Sequence, residues 1–509
     1  MLTHTTYKRA KLNPSNGRDL LCRFFMKGLA FSGRMTIMPK EAVTCMKKKY
    51  RSMTEGPLLP NIISYTIPII LTSILQLLFN AADLVVVGRF CGSISVAAVG
   101  ATGAITNLVV NLFAGLSVGA GVCVAHALGA KENQAVHRTV HTALPAALVS
   151  GVFLTIVGVA FSDALLRMMD TPDNVLSLSS LYMRIYFSGM TFNMVYNFCA
   201  SILRAAGDTK SPLIYLTIAG VINVLLNLFF VTVLHMNVAG VALATTISQA
   251  ISAVLVVIEL MRRTDACKLS LKQLRIYKPQ LLKMVRIGLP AGIQGSLFSI
   301  SNVIVQSSVN SFGEVVMSGN AAAGNIEGFV YVGMNALCQT SVNFVGQNVG
   351  AHKYHRARQT LFLCLICSTV IGLSTSMLAY AFAPQLLSIY ITDSAEAISY
   401  GVLRMSVVCF TYCLCGLMDT TTGALRGVGA SLIPMVISIL GICGIRLGWI
   451  FTIFQIPQFH TLWWLYVSYP VSRAVTFAAQ IVAFILVYRK RIRTDSQYVL
   501  RALDATGQP

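Results

Sequence analysis

Long apolar segments constrain this chain more than any other feature. Twelve of them follow one another, and each is long enough to cross the hydrocarbon core of a bilayer, which takes about 20 helical residues. Lipid offers no hydrogen-bonding partner to a backbone, so such segments must be helical. The chain is therefore predicted to be an all-α integral membrane protein with twelve transmembrane helices. The segments lie near residues 62–88, 94–127, 139–161, 178–203, 212–234, 238–261, 288–312, 318–348, 360–383, 400–424, 432–455 and 462–488.

Basic residues give the predicted orientation of these helices. The chain has 509 residues and a net charge of +21, with 39 Lys and Arg against 18 Asp and Glu. If the N-terminus is inside, the outer loops hold only Arg89 and Arg167, and the other 33 basic residues of the loops and tails are inside. The positive-inside rule describes this bias. We therefore expect a multi-pass protein of the inner (plasma) membrane with both termini cytoplasmic, and the charge requires no nucleic acid partner.

A duplicated motif divides the chain into two halves. LRAAGDTKSPL at 203–213 returns 222 residues later as LRGVGASLIPM at 425–435, and Pro68 has its counterpart in Pro290 at the same offset. Each motif joins two predicted helices, with a Gly that ends one and a Pro that starts the next. Six helices per half is an even number, so both halves enter the membrane from the same side. The pattern predicts two parallel six-helix repeats, an N-lobe and a C-lobe, with a substrate path between them.

The repeat also predicts domain boundaries. A strongly basic stretch in the middle of the chain is expected to link the two lobes on the cytoplasmic side. Met53 offers an alternative start, so we expect the residues before it to be dispensable. The predicted units are a basic cytoplasmic tail at 1–55, the N-lobe at 56–262, the linker at 263–287, the C-lobe at 288–488 and a cytoplasmic tail at 489–509.

Acidic residues inside apolar segments are the sharpest functional signal. Asp83, Glu327 and Asp419 lie well inside predicted helices. A charged side chain at a helix centre costs about 2.5–3.5 kcal/mol on insertion scales, so each should face a partner or water. Asp83 shares one face of predicted helix one with Gln76 and Asn80, because their spacing is i, i+4, i+7.

Polar residues of two further helices complete a predicted cation site. Asn223 and Asn227 share a face of predicted helix five, and Thr245 of helix six adds a hydroxyl. If this face meets Asp83, one carboxylate and several neutral oxygens are available to hold a proton or a desolvated Na⁺, because a hard cation prefers oxygen ligands. The Asn and Gln side chains are equally consistent with hydrogen bonds that only join helices. No metal beyond this Na⁺ is predicted.

The C-lobe supplies two further candidates for coupling, Glu327 and Asp419. Glu327 is expected near the outer end of predicted helix eight, where water can solvate its carboxylate. Arg446 of predicted helix eleven either pairs with one of these acids or extends to the membrane surface. The Arg of each duplicated motif is expected at a cytoplasmic helix end, near free backbone carbonyls and lipid phosphates. The chain has no GxxxxGK[ST] phosphate loop and no nucleophile–base pattern, so we predict no enzyme activity.

Several stretches, taken in order, resemble the multidrug and toxic compound extrusion (MATE) family across roughly residues 53–490. They are QLLFNAADLVVVGRF, AHALGAK, LRAAGDTKSPL and GVALATTISQ in the first half and GNIEGFVY, FVGQNVGAHK and LRGVGASLIP in the second. The resemblance implies an antiporter that expels cationic, amphipathic drugs or metabolites by alternating access in exchange for H⁺ or Na⁺. It implies no cofactor, small organic cations as substrates, membrane lipid as surroundings and, we expect, a monomer.

The resemblance also assigns residues. In prokaryotic members the carboxylate matched here by Asp83 belongs to a cation site in the N-lobe, together with an Asn and an Asp of helix five. Asn223 matches the first of these, whereas Asn227 stands where the family has the Asp. Other members use acids on helices seven and ten. Predicted helix seven has no acid here, and Asp419 lies on helix ten.

Two other functions stay open from the sequence. A lipid-linked sugar flippase of the wider superfamily should line its cavity with several Arg or Lys that bind pyrophosphate. Only Arg184, Arg404, Arg446 and Arg473 lie inside apolar segments, and no single helix clusters them. A membrane receptor or scaffold without transport is the other alternative, although a scaffold has no use for buried carboxylates.

Overall fold

Within the described residues, twelve helices cross the molecule in two lobes of six. The computed structural model describes residues 53–169, 171–391 and 394–506, so most of the predicted N-terminal tail lies outside the described residues. The helices of the N-lobe are α1 (Leu58–Phe90), α2 (Ser93–Gly129), α3 (Asn133–Arg167), α4 (Asp173–Ser188 and Met190–Ala205), α5 (Lys210–Leu228, continued by a π-helical turn, Phe229–Val233) and α6 (Asn237–Arg262).

The C-lobe repeats this arrangement. Its helices are α7 (Lys278–Asn310), α8 (Glu314–Gly350), α9 (Tyr354–Ala381), α10 (Ala395–Arg404 and Tyr412–Val428, around a π-helical turn, Met405–Cys409), α11 (Leu432–Ser438 and Ile445–Phe451, around a π-helical segment, Ile439–Gly444) and α12 (Leu462–Thr506). A short helix, Ala383–Ser388, precedes α10. Two helices cross the predicted domain boundaries: α7 begins inside the predicted linker, and α12 continues into the predicted C-terminal tail.

Hydropathy alone identifies most of the twelve helices. Within the described residues, nine helices are long and apolar enough to span a membrane, and a tenth is obtained when the two parts of α10 count as one bent span. The other two are α4, which breaks into two 16-residue halves at Gly189, and α8, whose 37 residues include several Asn and Gln and the buried Glu327. The prediction of an all-α membrane protein with twelve helices in two lobes is confirmed.

Small residues join the two lobes along a first seam, between α2 and α7. Gly115 and Gly119 of α2 lie against Gly288 and Gly292 of α7 so closely that no Cβ fits between them. A Cβ on Gly288 would lie 2.6 Å from the Cα of Leu116. Such small-xxx-small stripes let two backbones approach each other in a membrane.

A second seam, between α1 and α8, is related to the first by the sequence repeat. The hydroxyls of Thr66 on α1 and Thr340 on α8 are hydrogen-bonded at 2.9 Å. Thr66 lies 222 residues before Gly288, and Thr340 lies 221 residues after Gly119. The same pair of positions therefore makes both seams, once with glycines and once with threonines.

The seams are closed at one end of the molecule and open at the other. At the closed end Gly129 contacts the carbonyl of Gln347, and Gly350 contacts the carbonyl of His126, which again leaves no room for a Cβ. Away from this end, residues within 111–121 of α2, 291–306 of α7 and 320–343 of α8 line an open space between the lobes. The two lobes thus diverge from the end that carries the 129 and 350 positions and enclose a cavity between them.

Candidate cation site and central cavity

Close packing of α5 on α1 brings the predicted cation ligands together. Gly220 of α5 lies against the ring of Phe79 on α1, where any side chain would overlap the ring. One turn further, α5 presents Asn223 and, after another turn, Asn227 to the α1 side chain of Asp83. Both asparagines are buried. The π-helical turn that follows Asn227 is a feature often found at functional sites.

Hydrogen bonds connect four of the predicted residues into one cluster. The amide of Asn227 donates to Asp83 Oδ1, and Thr245 Oγ1 donates to Asp83 Oδ2 at 3.3 Å. Asn223 Nδ2 donates to Thr245 Oγ1 at 3.4 Å, and Asn227 Nδ2 is also 3.3 Å from Asn223 Oδ1. The structure therefore gathers α1, α5 and α6 around a single carboxylate.

This cluster is rich in oxygen and poor in positive charge. Within the described residues, Asp83 forms no ion pair with Lys, Arg or His, and the buried Oδ1 of Asn227 accepts no hydrogen bond. One carboxylate with neutral amide and hydroxyl oxygens suits a proton or a hard monovalent cation. An unpaired buried acceptor beside a carboxylate is costly unless a ligand satisfies it.

Two other predicted residues of helix one lie apart from the cluster. Gln76 and Asn80 are exposed on α1, and neither bonds to Asp83, Asn223 or Thr245 in the described structure. Gln76 is about 10 Å from Asp83 along the helix axis, since each residue adds about 1.5 Å. Sharing a helix face was therefore insufficient to bring them into the site.

Glu327 is buried in an ion pair in the C-lobe. Only 2% of its surface is exposed, and Arg404 of α10 binds both of its carboxylate oxygens at 2.8 Å. Arg404 also donates to Asn320 Oδ1 at 2.6 Å. Two expectations from the sequence are corrected here: Glu327 is not at a solvated helix end, and its partner is Arg404 rather than Arg446. The ion pair satisfies the charge of Glu327 and leaves little capacity for a coupling ion.

Asp419 of α10 accepts hydrogen bonds from neutral side chains, whereas Glu327 accepts them from an arginine. The phenol of Tyr331 on α8 donates to its Oδ2 at 2.9 Å. From Tyr331 a line of polar side chains continues along α8 through Asn335 and Gln339, at successive i, i+4 positions. It ends where Arg204 of α4 donates to Gln339 Oε1 at 2.8 Å. Polar contacts thus run from an acid of the C-lobe to an arginine of the N-lobe.

The arginines of the duplicated motif face the interior. Arg204 reaches Gln339 as described, and Arg426 Nη2 donates to Gln294 Oε1 of α7 at 2.8 Å. Both line the central cavity. The expectation that they meet backbone carbonyls and lipid phosphates is corrected: the motif places each arginine at the helix end that turns towards the partner lobe or the cavity.

The central cavity between the lobes has a volume of about 930 Å³ and an excess of positive charge. In the part of the chain that the structure describes, its wall comes from α2, α4, α7, α8, α10, α11 and α12 and carries two acids, Glu327 and Asp419. Sequence reasoning placed three of the five arginines of this wall inside apolar segments and the other two at helix ends, but it did not predict their convergence, because the five lie on four different helices. The cost of an intramembrane Arg was the available signal. The arginines of the wall are Arg204, Arg404, Arg426, Arg446 and Arg473.

Comparison with known proteins identifies a family and relatives that share this architecture. The MatE family model matches residues 68–229 and 290–451, two stretches separated by the same 222-residue offset as the motif. The probable multidrug resistance protein YoeA of Bacillus subtilis is 28% identical over 436 residues, covering 84% of this chain and 93% of its own. The probable multidrug resistance protein NorM of Thermotoga maritima is 25% identical, over 81% of this chain and 86% of its own.

Solved structures agree with the fold. The outward-facing conformation of a multidrug resistance MATE family transporter superposes with a TM-score of 0.80 at 22% identity, covering 88% of this chain and 99% of the other. A mutant of the Vibrio cholerae MATE transporter VcmN gives a TM-score of 0.78 at 19% identity, over 86% and 97% of the two chains. Two family-model matches over more than half of the sequence, on two six-helix lobes, show that the chain belongs to the MATE family, whose members are multi-pass membrane transporters that need no cofactor and are not enzymes.

Proposed function

We propose that this chain is a secondary active exporter in which Asp83 binds the coupling ion, H⁺ or Na⁺. The observation that carries the proposal is the cluster around Asp83: a membrane-embedded carboxylate bonded to Asn227 and Thr245, with no cationic partner in the described structure. An ion that binds one conformation better than the other shifts the equilibrium between them. Loading and release at Asp83 would therefore drive alternating access.

The cluster supports either ion by a different route. A proton on Asp83 removes its charge and lets the carboxyl group donate to the free Oδ1 of Asn227. A Na⁺ takes the carboxylate as its one charged ligand and the side-chain oxygens of Asn223, Asn227 and Thr245 as neutral ligands. The Asn at position 227, where the resemblance predicted an Asp, leaves the site with one negative charge.

The open cavity is assigned to the outer side of the membrane. The closed end of the seams carries Gly129 and Gly350, and both are followed within nine residues by basic side chains, Lys131 and Arg138 after the first and Lys353, Arg356 and Arg358 after the second. The positive-inside rule places these basic residues, the linker and both termini in the cytoplasm. The conformation described here then corresponds to the outward-open state, which releases substrate and takes up the coupling ion.

The substrate is proposed to be a small amphipathic organic molecule that enters the central cavity. The sequence predicted a cation, and Asp419 is the carboxylate of the cavity that would attract one, because its only short hydrogen bond comes from Tyr331. Glu327 is a weak candidate for this role, since Arg404 neutralises it. Tyr331, Tyr412 and Phe298 provide the aromatic surface for the apolar part of the substrate.

Vesicle transport with matched Asp-to-Asn variants tests the coupling site. Purified protein is reconstituted, and efflux of ethidium is driven separately by a pH gradient and by a Na⁺ gradient. Asp83→Asn should reduce driven efflux to the level of empty vesicles, because Asn neither titrates nor supplies the charge. Asp163→Asn is the control: this N-lobe carboxylate is half-exposed, pairs with Arg184 outside the cavity and should leave efflux unchanged.

Two C-lobe variants test whether the coupling site lies in the C-lobe rather than at Asp83. Asp419→Asn should weaken ethidium binding and leave the ion dependence in place. If Asp83→Asn transports like the parent protein while Asp419→Asn or Glu327→Gln is inactive, coupling lies in the C-lobe and the proposed role of Asp83 is wrong.

A further inference from the structure

Two arginines of the central cavity have no acidic partner among the described residues. Arg446 of α11 and Arg473 of α12 are each only 5% exposed. Arg446 donates from Nε to Ser472 Oγ at 3.1 Å and from Nη1 to Asn302 Oδ1 at 3.3 Å. Arg473 donates from Nη1 to the carbonyl of Val408 at 3.4 Å. The only carboxylate bonded to an arginine of this region is Glu327, and its partner is Arg404.

Aromatic rings hold the three guanidinium groups together. The ring of Tyr469 lies 4.2 Å from the guanidinium carbon of Arg446, 5.5 Å from that of Arg473 and 5.6 Å from that of Arg404. Arg473 also lies over the ring of Tyr412, at 4.4 Å. Cation–π contacts orient the planar groups and leave their N–H edges available. Three positive charges therefore surround one tyrosine ring, and within the described residues only the one on Arg404 is in an ion pair with a carboxylate.

The guanidinium N–H groups of Arg446 and Arg473 that form no hydrogen bond define which ligands these two arginines can bind. A guanidinium group carries five N–H donors in a fixed fork, and the hydrogen bonds above use two on Arg446 and one on Arg473. This fork matches the two oxygens of a carboxylate or phosphate. An unbalanced charge inside a membrane protein is costly and marks a place where a ligand of opposite charge binds. Both arginines line the central cavity.

We propose that Arg446 and Arg473 together bind the carboxylate or phosphate group of an amphipathic organic anion, which the cavity takes as substrate. Phe298, Met418 and Ile442 of the same wall would contact its apolar part. The inference rests on the proposed function, because it names the substrate class of the proposed exporter. It differs from the cationic substrate predicted from the sequence, since the charge of the wall is positive.

Binding to the purified full-length protein, without any ion gradient, tests this inference. Carboxyfluorescein serves as a free organic anion, NBD-labelled phosphatidic acid as a lipid phosphate and ethidium as a cation, each followed by fluorescence anisotropy. The parent protein should bind at least one of the two anions more tightly than ethidium. Binding of carboxyfluorescein alone identifies a free anion as the substrate, and binding of phosphatidic acid alone identifies a lipid phosphate.

Variants at the two arginines separate a binding role from a structural one. Arg446→Gln and Arg473→Gln should each weaken anion binding about tenfold or more, while the Lys variants, which keep the charge without the fork, should lose less. Arg184→Gln, which is outside the cavity, is the control and should bind like the parent. If a Gln variant does not fold, the Lys variant and the competition between anion and ethidium in the parent protein still decide.

The outcomes distinguish this inference from the coupling proposal. Anion binding is measured on the arginine variants without an ion gradient, whereas the Asp83 variant is assayed by gradient-driven efflux, so each result is obtained independently of the other. If the parent binds ethidium but neither anion, or if the Gln variants bind anions like the parent, the arginines are structural and the inference is wrong, whatever the Asp83 variant shows. If anion binding behaves as expected and Asp83→Asn still transports, only the coupling site is wrong.

Discussion

Adding one methyl group at the seam between α2 and α7 should shift the equilibrium between the two conformations of the transport cycle. Gly119 of α2 lies against α7, where a Cβ would overlap the carbonyl of Met284 and would sit 2.8 Å from the backbone nitrogen of Gly288. The Cβ would lie about one ångström inside the contact distance to the Met284 carbonyl oxygen, because close carbon contacts to backbone polar atoms lie at about 3.3–3.6 Å, so the two helices must separate by at least roughly one ångström in Gly119→Ala. The atoms in the way are backbone, so no side chain can rotate to make room.

The size of the effect follows from this overlap. Overpacking a close-packed contact costs about 1–3 kcal/mol. The strain exists only while the seam is closed, so it acts on the closed conformation and not on the one in which the lobes have parted. A difference of about 1–3 kcal/mol changes the ratio of two conformations about 5- to 150-fold. Gly119→Ala should therefore shift the population strongly towards the seam-open conformation and slow transport.

Distances between spin labels across the closed end measure this shift. Labels on cysteines introduced at the exposed Glu132 and His355 flank the seam from the two lobes, and pulsed electron resonance gives their distance distribution. Gly119→Ala should enlarge the long-distance population. Gly103→Ala is the matched control on the same helix, because no atom lies within 4 Å of its Cβ. If both variants give the parent distribution and the parent transport rate, the glycine seam is not a gate.

Four further predictions follow from burial and topology. Glu327→Gln should lower the thermal stability of the detergent-purified protein, because breaking a buried ion pair costs about 3–5 kcal/mol and leaves Arg404 unpaired; an unchanged melting temperature would contradict this. In a cysteine-depleted background, a cysteine at Lys272 should react with maleimide only from the cytoplasmic side. Burial raises the pKa of the Cys267 thiol in the linker to about 12, so little thiolate forms at pH 8 and this native cysteine should stay unlabelled on a gel-shift assay. Deletion of residues 1–45 should leave vesicle transport at the parent rate.

The sequence by itself was sufficient for the architecture. Apolar length and the obligation to satisfy the backbone predicted twelve helices, and the 222-residue offset between the motifs at 203–213 and 425–435 predicted two lobes. The i, i+4 spacing of Asn223 and Asn227 placed both on one face of helix five, but contact of this face with Asp83 was only a condition of the predicted site, and the structure supplies that contact. Periodicity carries this information because it acts within one helix or between neighbouring helices of a repeat.

Only the tertiary structure decided which charges meet. Glu327 pairs with Arg404 rather than Arg446, and Gln76 and Asn80 stay outside the cluster at Asp83. In a soluble protein, the apolar face of a helix indicates the core, but in a membrane the lipid-facing and core-facing sides are both apolar. The rotation of each helix about its own axis therefore cannot be predicted from its pattern of hydrophobicity. Convergence of arginines from four helices on one cavity depends on those rotations, and it appears only when the helices are packed.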